Sequence, residues 1–280
     1  MIISVDVGGT KSKAVLYNDA GDVIKVIVVG SCHPMQNDDE TIIKNIQACM
    51  LDENVPIVFG FAGYGRSQSL KDKINKLVKQ ACGNHHYHII PDTEMAMYST
   101  LLGHDGITVI LGTGSVAFRK EKNQTTQIGG WGFVLGDEGS GYEIGQNVLK
   151  TFALEEDGRK NKSMIFDSVI QLYNLNTPSE LITKVVDQGI VQRTLIAKAA
   201  RIALDHPEEC LEIINDSAKN AARLISSAQK DELPVVITGG LSHSQYYIDT
   251  IQSYIPHIQI KVAQYEPVYG GYIYGLICNL

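Results

Sequence analysis

The sequence predicts an α/β protein with two domains, and three observations carry this prediction. The chain has 280 residues, whereas a single domain commonly takes about 100–200. Apolar runs of strand length alternate with segments that have helical periodicity. The pattern of a strand, a glycine turn and a second strand occurs twice, with the turns directly after Val7 and Leu111. This repeat suggests an internal duplication.

The first third of the chain has a regular alternation of elements. Residues 2–7, 14–17 and 23–29 are apolar runs, and the turn-forming residues 18–22 separate the last two. We therefore expect three strands in an antiparallel meander. The elements expected next are a helix opened by the acids at 38–40, a strand at 56–61, a helix at 69–82, a strand at 88–91 and a helix at 93–102.

A second cycle begins at Gly106. From about residue 140 to 230 the pattern is mostly helical, which predicts a helical insertion in the second domain. The tyrosine-rich tail is expected to pack between domains or between subunits. The elements expected in this half are strands at 107–111 and 115–119, a polar hairpin tip at 120–126, helical breaks at 157–162, 174–178 and near 206–207, strands at 235–238 and 258–262 on either side of a helix, and a last helix from about 268.

Composition and charge exclude several classes of protein. Hydrophobic residues make up 44% and charged residues 20%, as in ordinary globular domains. The net charge of −7 argues against a general role at nucleic acids or membrane surfaces. Apolar runs fall well short of the roughly 18–20 residues that cross a bilayer. The first residues lack a basic segment and are expected to form a strand, not a secretory signal.

The five cysteines are scattered along the chain and include no pair at metal-ligand spacing. A disulfide framework or a structural zinc site is therefore not expected. Free thiols fit a reducing compartment, so the predicted location is the cytoplasm.

The segment Asp6-Val7-Gly8-Gly9-Thr10-Lys11 has the pattern of a phosphate-binding turn. Glycines allow close approach of the backbone to phosphate oxygens, and successive N–H groups form an anion-binding concavity. A carboxylate at the strand end can hold Mg²⁺ through water, because hard cations prefer oxygen ligands. A plain hairpin with Gly-Gly at its tip is the alternative explanation.

A second glycine turn, Gly112-Thr113-Gly114-Ser115, also follows an apolar strand. Alone it is explained equally well by a hairpin. Two such turns in one chain are more specific, because together they can hold a phosphate chain from two sides.

Asp92 lies between a predicted strand and a predicted helix. A carboxylate there can simply be the N-cap of the helix. It can also be a base, because phosphoryl transfer to an alcohol requires that the hydroxyl is oriented and its proton accepted.

Taken together, these motifs resemble the N-acetylglucosamine kinase branch of the BadF/BadG/BcrA/BcrD ATPase family. The resemblance extends over nearly the whole chain, and its most specific part is the segment 129–140. The motifs that carry it are Asp6-x-Gly8-Gly9-Thr10, Asp92, Gly112-Thr113-Gly114-Ser115, Gly129-Gly130-Trp131-Gly132, Gly136-Asp137-Glu138-Gly139-Ser140 and Gly239-Gly240.

The resemblance implies two ribonuclease H-like (actin-like ATPase) domains with mixed five-stranded sheets, around an interdomain cleft that closes on the sugar. Residues 1–105 with 268–280 would form the first domain and residues 106–267 the second. ATP would bind mainly to the second domain, and relatives suggest a homodimer.

The resemblance also implies roles for individual residues. Asp92 matches the catalytic base, which also contacts the sugar, and Asp6 matches the acid associated with Mg²⁺. The residues implied in binding ATP or its phosphates are Asp6, Gly8, Gly9, Thr10, Lys11, Thr113, Gly114, Gly239 and Gly240. The residues implied in binding the sugar are His33, Asp92, Ser115, Gly130, Trp131, Gly132 and Asp137.

Elementary chemistry supports two of these roles. Trp131 is the only tryptophan and lies among three glycines, which is a poor place to fill a core but suits an apolar wall against a sugar ring. Asp137 would accept sugar hydroxyls. The alternatives are an ordinary packed tryptophan and, for Asp137 and Glu138, N-cap or first-turn acids of the next helix.

The sequence departs from the family pattern at two positions. In Gly30-Ser31-Cys32-His33-Pro34, His33 takes the place of the usual sugar-binding Asn, and its reach differs from that of an amide. Val116 replaces a residue that is often polar. These changes bear on the identity of the sugar, not on the type of reaction. Residues 63–66 are a further candidate for the sugar site, with Arg66 as a minor candidate for a phosphate ligand.

The predicted activity is transfer of a phosphoryl group from ATP to the 6-hydroxyl of an amino sugar, N-acetylglucosamine first. Glucosamine and N-acetylmuramate are the alternative substrates. A dehydratase activator with an iron–sulfur cluster and a non-catalytic sugar sensor are the alternatives from other classes; the scattered cysteines oppose the first and Asp92 with the two turns opposes the second.

Overall fold

The computed structural model describes residues 1–65, 67–122 and 124–280, except for the side chain of Ile190. The chain divides into two compact units, residues 1–104 with 263–280 and residues 105–262. The second boundary lies five residues before the one that the sequence suggested. Residues 263–267 belong to the first unit because they contact it, as the ion pair of Glu266 with Lys13 shows.

The first unit is built on a mixed five-stranded sheet. Its order is β3-β2-β1-β4-β5, with β1, β4 and β5 parallel and the meander β1-β2-β3 antiparallel. The elements are β1 (Ile2–Val7), β2 (Lys11–Tyr17), β3 (Val23–Gly30), α1 (Asp39–Ala48), β4 (Ile57–Phe61), α2 (Gln68–Cys82), β5 (Tyr87–Pro91), α3 (Asp92–Leu101) and, from the end of the chain, α10 (Tyr269–Ile277).

The second unit repeats this topology. Its sheet has the order β10-β9-β6-β7-β8, in which β6, β9 and β10 are parallel and β6-β7-β8 is an antiparallel meander. The elements are β6 (Gly106–Leu111), β7 (Ser115–Glu121), β8 (Gln124–Gly129), α4 (Gly141–Glu156), α5 (Met164–Tyr173), α6 (Gln192–Lys198), α7 (Ala200–Asp205), α8 (Leu211–Ala228), β9 (Val235–Thr238), α9 (Gln245–Tyr254) and β10 (Ile260–Val262).

The predicted fold class, the first meander and the three helical breaks are confirmed, and the matching strand orders fit the suggested duplication. The hairpin tip expected at 120–126 is wrong in extent. Strand β7 continues to Glu121 and β8 begins at Gln124, because Glu121 and Gln124 pair across the hairpin. Residue 123 of this tip lies outside the described residues.

Each unit has its own hydrophobic core. Apolar side chains of β1, β4 and α2 fill the core of the first unit, and Phe59, Phe61 and Ile74 are fully buried there. The core of the second unit joins β6 and β9 to the helices of the insertion. Among the described residues, no helix combines the length and apolar character needed to span a membrane.

Helix α10 packs closely against the sheet and helix α3 of the first unit. A Cβ atom on Gly270 would lie 1.8 Å from the carbonyl oxygen of Met95, so only glycine permits this approach. Tyr269 and Tyr272 pack their rings on Tyr17 of β2. These tail tyrosines therefore lie within the packing of one unit, which differs from the expected packing between domains or subunits.

Candidate functional site

Polar residues of the first unit collect at one edge of its sheet. Strands β1, β4 and β5 are parallel, so their carboxyl ends lie at the same edge, where ligands bind in open α/β sheets. The first glycine turn follows β1, the loop 62–65 follows β4, and Asp92 follows β5 directly. The order of the strands thus brings Asp6 and Asp92, 86 residues apart in sequence, to the same edge.

Asp6 lies in an environment that disfavours its negative charge. Burial, followed by the charges of Asp92 and Glu266, raises the pKa of Asp6 from 3.8 to about 6, against the opposing effect of Lys13. A carboxylate in these surroundings accommodates a cation well, since a cation offsets the charge that burial and the neighbouring acids oppose.

Asp92 is the first residue of α3, and Pro91 takes the N-cap position, so the plain N-cap interpretation of Asp92 is wrong. Its Oδ1 accepts the N–H of Thr93 at 2.9 Å. Burial raises the pKa of Asp92, while the N–H groups of Thr93 and Gly63 oppose this shift. A raised pKa makes the carboxylate a better proton acceptor.

Lys13 and Glu266 form an ion pair next to Asp6 that sequence reasoning missed. Lys13 faces Asp6 directly across the β1–β2 ladder, and cross-strand partners of this kind are close neighbours. The alternation along β2 could have identified Lys13. Glu266 offers no local signal, because it is far from β2 in sequence.

The first glycine turn leaves its backbone donors available. Gly8 donates to the carbonyl oxygen of Lys11, whereas the N–H groups of Gly9 and Thr10 make no hydrogen bond within the part of the chain that the structure describes. Gly9, Thr10 and Lys11 are exposed. The turn can therefore offer two N–H groups and a hydroxyl to an anion.

Both ring nitrogens of His33 contact the backbone. Nε2 donates to the carbonyl oxygen of Ala62 at 3.0 Å, and Nδ1 accepts the N–H of Met35 at 3.2 Å. Burial lowers the pKa of His33, which favours this neutral tautomer. The imidazole links the loop after β3 to the loop after β4, and a sugar contact, which stays a prediction, would require exchange of one of these bonds. Arg66, the last residue of the candidate segment 63–66, lies outside the described residues.

The second unit has the same arrangement at the carboxyl ends of its parallel strands. The turn 112–115 follows β6 and the pair Gly239–Gly240 follows β9. Among the described residues, the N–H groups of Thr113 and Gly114 donate no hydrogen bond, and Thr113 is exposed. Ser115 is buried, and its Oγ donates to the carbonyl oxygen of Glu138 at 2.6 Å.

Asp137 is buried beside the second turn, with only 3% of its surface exposed. Its Oδ1 accepts the N–H of Ser115 at 3.2 Å, and its Oδ2 accepts Nη2 of Arg193 at 2.6 Å. The backbone of Asp137 is left-handed, with φ of 67°. The N-cap of α4 is Ser140, which accepts the N–H of Glu143, so the interpretation of Asp137 as that cap is wrong.

The loop from Gly129 to Gly136 presents apolar side chains to solvent. Trp131 is 76% exposed, and Val134 and Leu135 are similarly exposed. The alternative of an ordinary packed tryptophan is therefore wrong for this structure. An exposed apolar loop between two glycine-rich segments is suited to contact with a ligand.

The two sheets and their glycine turns identify the structural class of the protein. Two sheets of one mixed topology, each with a glycine turn after its first strand, are the ribonuclease H-like domains of actin-like ATPases. The chain belongs to the BadF/BadG/BcrA/BcrD ATPase family, whose sequence profile matches residues 3–275. Membership of an ATPase family implies that the protein uses ATP.

Two curated relatives are named as amino-sugar kinases. The N-acetylmuramic acid/N-acetylglucosamine kinase of Clostridium acetobutylicum is 23% identical, over 97% of each chain. The N-acetyl-D-glucosamine kinase of Dictyostelium discoideum is 26% identical, over 86% of this chain and 85% of the relative.

Solved structures share the fold. A candidate N-acetylglucosamine kinase from Porphyromonas gingivalis superposes with a TM-score of 0.82 at 17% identity, over 100% of both chains. A ROK family glucokinase from Streptomyces griseus, solved with glucose and AMPPNP, gives 0.62 at 19% identity, over 99% of this chain and 98% of the other. At these identities the likeness concerns the fold alone.

Proposed function

We propose that the protein transfers the terminal phosphoryl group of ATP to the 6-hydroxyl of an amino sugar, with N-acetylglucosamine as the first candidate. The observation that carries the proposal is the position of Asp92, a half-buried carboxylate of raised pKa at the sheet edge that also bears Asp6 and the first glycine turn. The names of the two curated relatives support the choice of substrate.

In the proposed reaction, Asp92 orients the sugar hydroxyl and accepts its proton. The hydroxyl oxygen forms a bond to the terminal phosphorus while the bond from that phosphorus to the bridging oxygen of ADP breaks. The free N–H groups of both glycine turns donate to phosphate oxygens, which stabilises the charge that develops during transfer.

Magnesium belongs to the proposal as the partner of the phosphate chain. Asp6 fits this role, because its surroundings raise its pKa and so favour a compensating cation. Bound there through water, Mg²⁺ would neutralise phosphate charge and hold the phosphate oxygens in place.

The sugar site is proposed from residues at two places in the chain. Trp131 offers an exposed aromatic face for the ring or the acetyl methyl group. Asp137 would accept sugar hydroxyls in exchange for one of its present bonds to Ser115 and Arg193. Ser115, Gly130, Gly132 and His33 complete the proposed set. Glucosamine and N-acetylmuramate are the competing substrates, and N-acetylmuramic acid is in the name of one relative.

An assay of ADP release across amino sugars tests the proposal. Purified protein with Mg²⁺ and ATP is given N-acetylglucosamine, glucosamine, N-acetylmuramate or glucose, and ADP is measured by a coupled enzyme reaction. We expect sugar-dependent ADP release that is fastest with N-acetylglucosamine. ADP release that no sugar accelerates would refute the kinase proposal.

Two further parts of the proposal concern the location of the protein in the cell and its oligomeric state. A cytoplasmic location fits the need for ATP and the five free cysteines. A homodimer follows from the family resemblance, and light scattering during gel filtration would give a mass of one chain if it is wrong.

A further inference from the structure

Arg193 lies at the second glycine turn although it is 79 residues from Gly114 in sequence. It is the second residue of α6, in the helical insertion of the second unit. Its guanidinium forms an ion pair with Asp137, with Nη2 at 2.6 Å from Oδ2. The side chain of Arg193 is 36% exposed, whereas that of Asp137 is 3% exposed.

This ion pair rests against the backbone of the turn. A Cβ atom on Gly114 would lie 2.0 Å from Nη2 of Arg193 and 2.6 Å from Oδ1 of Asp137. Only a residue without a side chain leaves room for the guanidinium there. The positive charge of Arg193 is therefore adjacent to the N–H groups of Thr113 and Gly114, which donate no hydrogen bond among the described residues.

The charge of Asp137 explains why a cation is needed at this turn. A buried carboxylate beside a phosphate-binding turn repels a phosphate, and burial strengthens that repulsion because the local dielectric is low. Arg193 offsets this negative charge. Its guanidinium has five N–H donors, and a planar guanidinium suits phosphate oxygens.

A purely structural ion pair explains the arrangement less well. The carboxylate of Asp137 is already oriented by the N–H of Ser115. Within the described part of the chain, Nε of Arg193 is buried without a hydrogen-bond partner, which is costly for a group that serves only to stabilise the fold. The side chain of Arg193 is 36% exposed and its Nη2 lies at Gly114, so part of the guanidinium is available to an anion at the turn.

We propose that Arg193, which belongs to the helical insertion, binds the terminal phosphate of the nucleotide at the turn 112–115. The inference rests on the proposed function, since it assumes that ATP phosphates occupy this turn. Arg193 would then have two roles, as the ion-pair partner of Asp137 and as a phosphate ligand. Asp137 would hold the guanidinium in place for the phosphate.

Nucleotide binding without sugar tests this role. Affinities for AMP-PNP and for ADP, each with Mg²⁺, are measured by calorimetry for the unaltered protein, Arg193→Gln, Arg193→Lys and Arg201→Gln. Arg201 is an exposed arginine on the neighbouring α7 and is the matched control. We expect Arg193→Gln to weaken AMP-PNP binding by roughly 10- to 100-fold, as for loss of a charged hydrogen bond.

The ADP measurements and the Arg193→Lys variant show whether the terminal phosphate is the group that Arg193 binds. ADP affinity should change less than about threefold in Arg193→Gln, since ADP lacks the terminal phosphate, and Arg193→Lys should retain part of the AMP-PNP affinity. Retained ADP binding shows that a variant is folded.

Three results would overturn the proposal. These are equal affinities of Arg193→Gln and unaltered protein for AMP-PNP, equal weakening of AMP-PNP and ADP, and absence of AMP-PNP binding by the unaltered protein. Intact nucleotide binding with no phosphorylation of any sugar would refute only the proposed function.

Discussion

The negative charge of Asp92 raises the pKa of Asp6, although β4 lies between β1, which contains Asp6, and β5, which Asp92 follows. Burial contributes most to this shift, and Glu266 adds to it. The carboxyl ends of β1 and β5 thus bring two acids into one electrostatic environment, and this relationship leads to several measurable consequences.

Replacing Asp6 by Asn should stabilise the protein in the absence of metal at pH 8. The pKa of Asp6 in the folded protein is raised to about 6. Its protonated form therefore contributes fully to the stability of the fold below the ordinary pKa of 3.8, and this contribution is lost as the pH rises through about 6. Ionised Asp6 then costs at most about 3 kcal/mol, a cost that Asn avoids. Chemical denaturation at pH 8 and at pH 4 measures the effect.

The gain in stability should disappear at pH 4, where Asp6 is protonated in the folded protein. Asp72→Asn, which changes an exposed acid on α2, is the control and should alter the stability little at either pH. Equal stability of Asp6→Asn and the unaltered protein at pH 8 would contradict the assigned environment of Asp6.

Protons and Mg²⁺ should compete at Asp6. Because the pKa of Asp6 is about 6, protonation below that pH removes the charge that the cation needs. The Mg²⁺ concentration for half-maximal ADP release should therefore rise by roughly tenfold between pH 7 and pH 5, in inverse proportion to the ionised fraction of Asp6. A Mg²⁺ requirement that is the same at both pH values would argue against Asp6 as the metal-associated residue.

Asp92→Asn should reduce turnover by roughly 10²- to 10⁴-fold, the usual range for loss of a general base. The affinity for AMP-PNP should stay within about threefold, because the amide keeps the shape of the side chain. Glu94→Gln alters another acid in the same turn of α3 and is the matched control. Near-normal turnover of Asp92→Asn, with folding verified by circular dichroism, would show that Asp92 is not the base.

Trp131 should report sugar binding directly, since it is the only tryptophan and is 76% exposed. Contact with a sugar reduces its exposure to water, so we expect a blue shift of the fluorescence on addition of N-acetylglucosamine. Trp131→Ala should change the free energy of unfolding by less than about 0.5 kcal/mol, as for exposed positions. The same substitution should weaken sugar binding by about three- to tenfold.

Leu135→Ala is the control for this loop, because Leu135 is equally exposed and has no proposed sugar contact. A saturating concentration of sugar that leaves the emission of Trp131 unchanged, while the enzyme turns over that sugar, would remove Trp131 from the sugar site.

Local patterns in the sequence predicted most of the fold and the residues that lie at one edge of the first sheet. Both glycine turns, the meander and the position of Asp92 are local features with a direct physical cause, namely turn chemistry and the alternation of apolar residues. Parallel pairing of β1, β4 and β5 then places Asp6 and Asp92 at one edge.

Contacts that depend on distant segments could not be predicted in this way. Arg193 reaches Asp137 from an insertion helix, and Glu266 reaches Lys13 from the end of the chain. No periodicity or turn signal encodes such pairs. The bonds of His33 to the backbone of Ala62 and Met35 likewise depend on how two loops pack, so the sequence alone indicated only a change of residue type.

Phosphoryl transfer to the sugar can be followed with labelled ATP. Protein is incubated with Mg²⁺, N-acetylglucosamine and ATP labelled at the terminal phosphate, and the labelled products are separated. We expect label in a sugar 6-phosphate, reduced by at least about 10²-fold in Asp92→Asn. Label found only in inorganic phosphate, at the same rate with and without sugar, would contradict it.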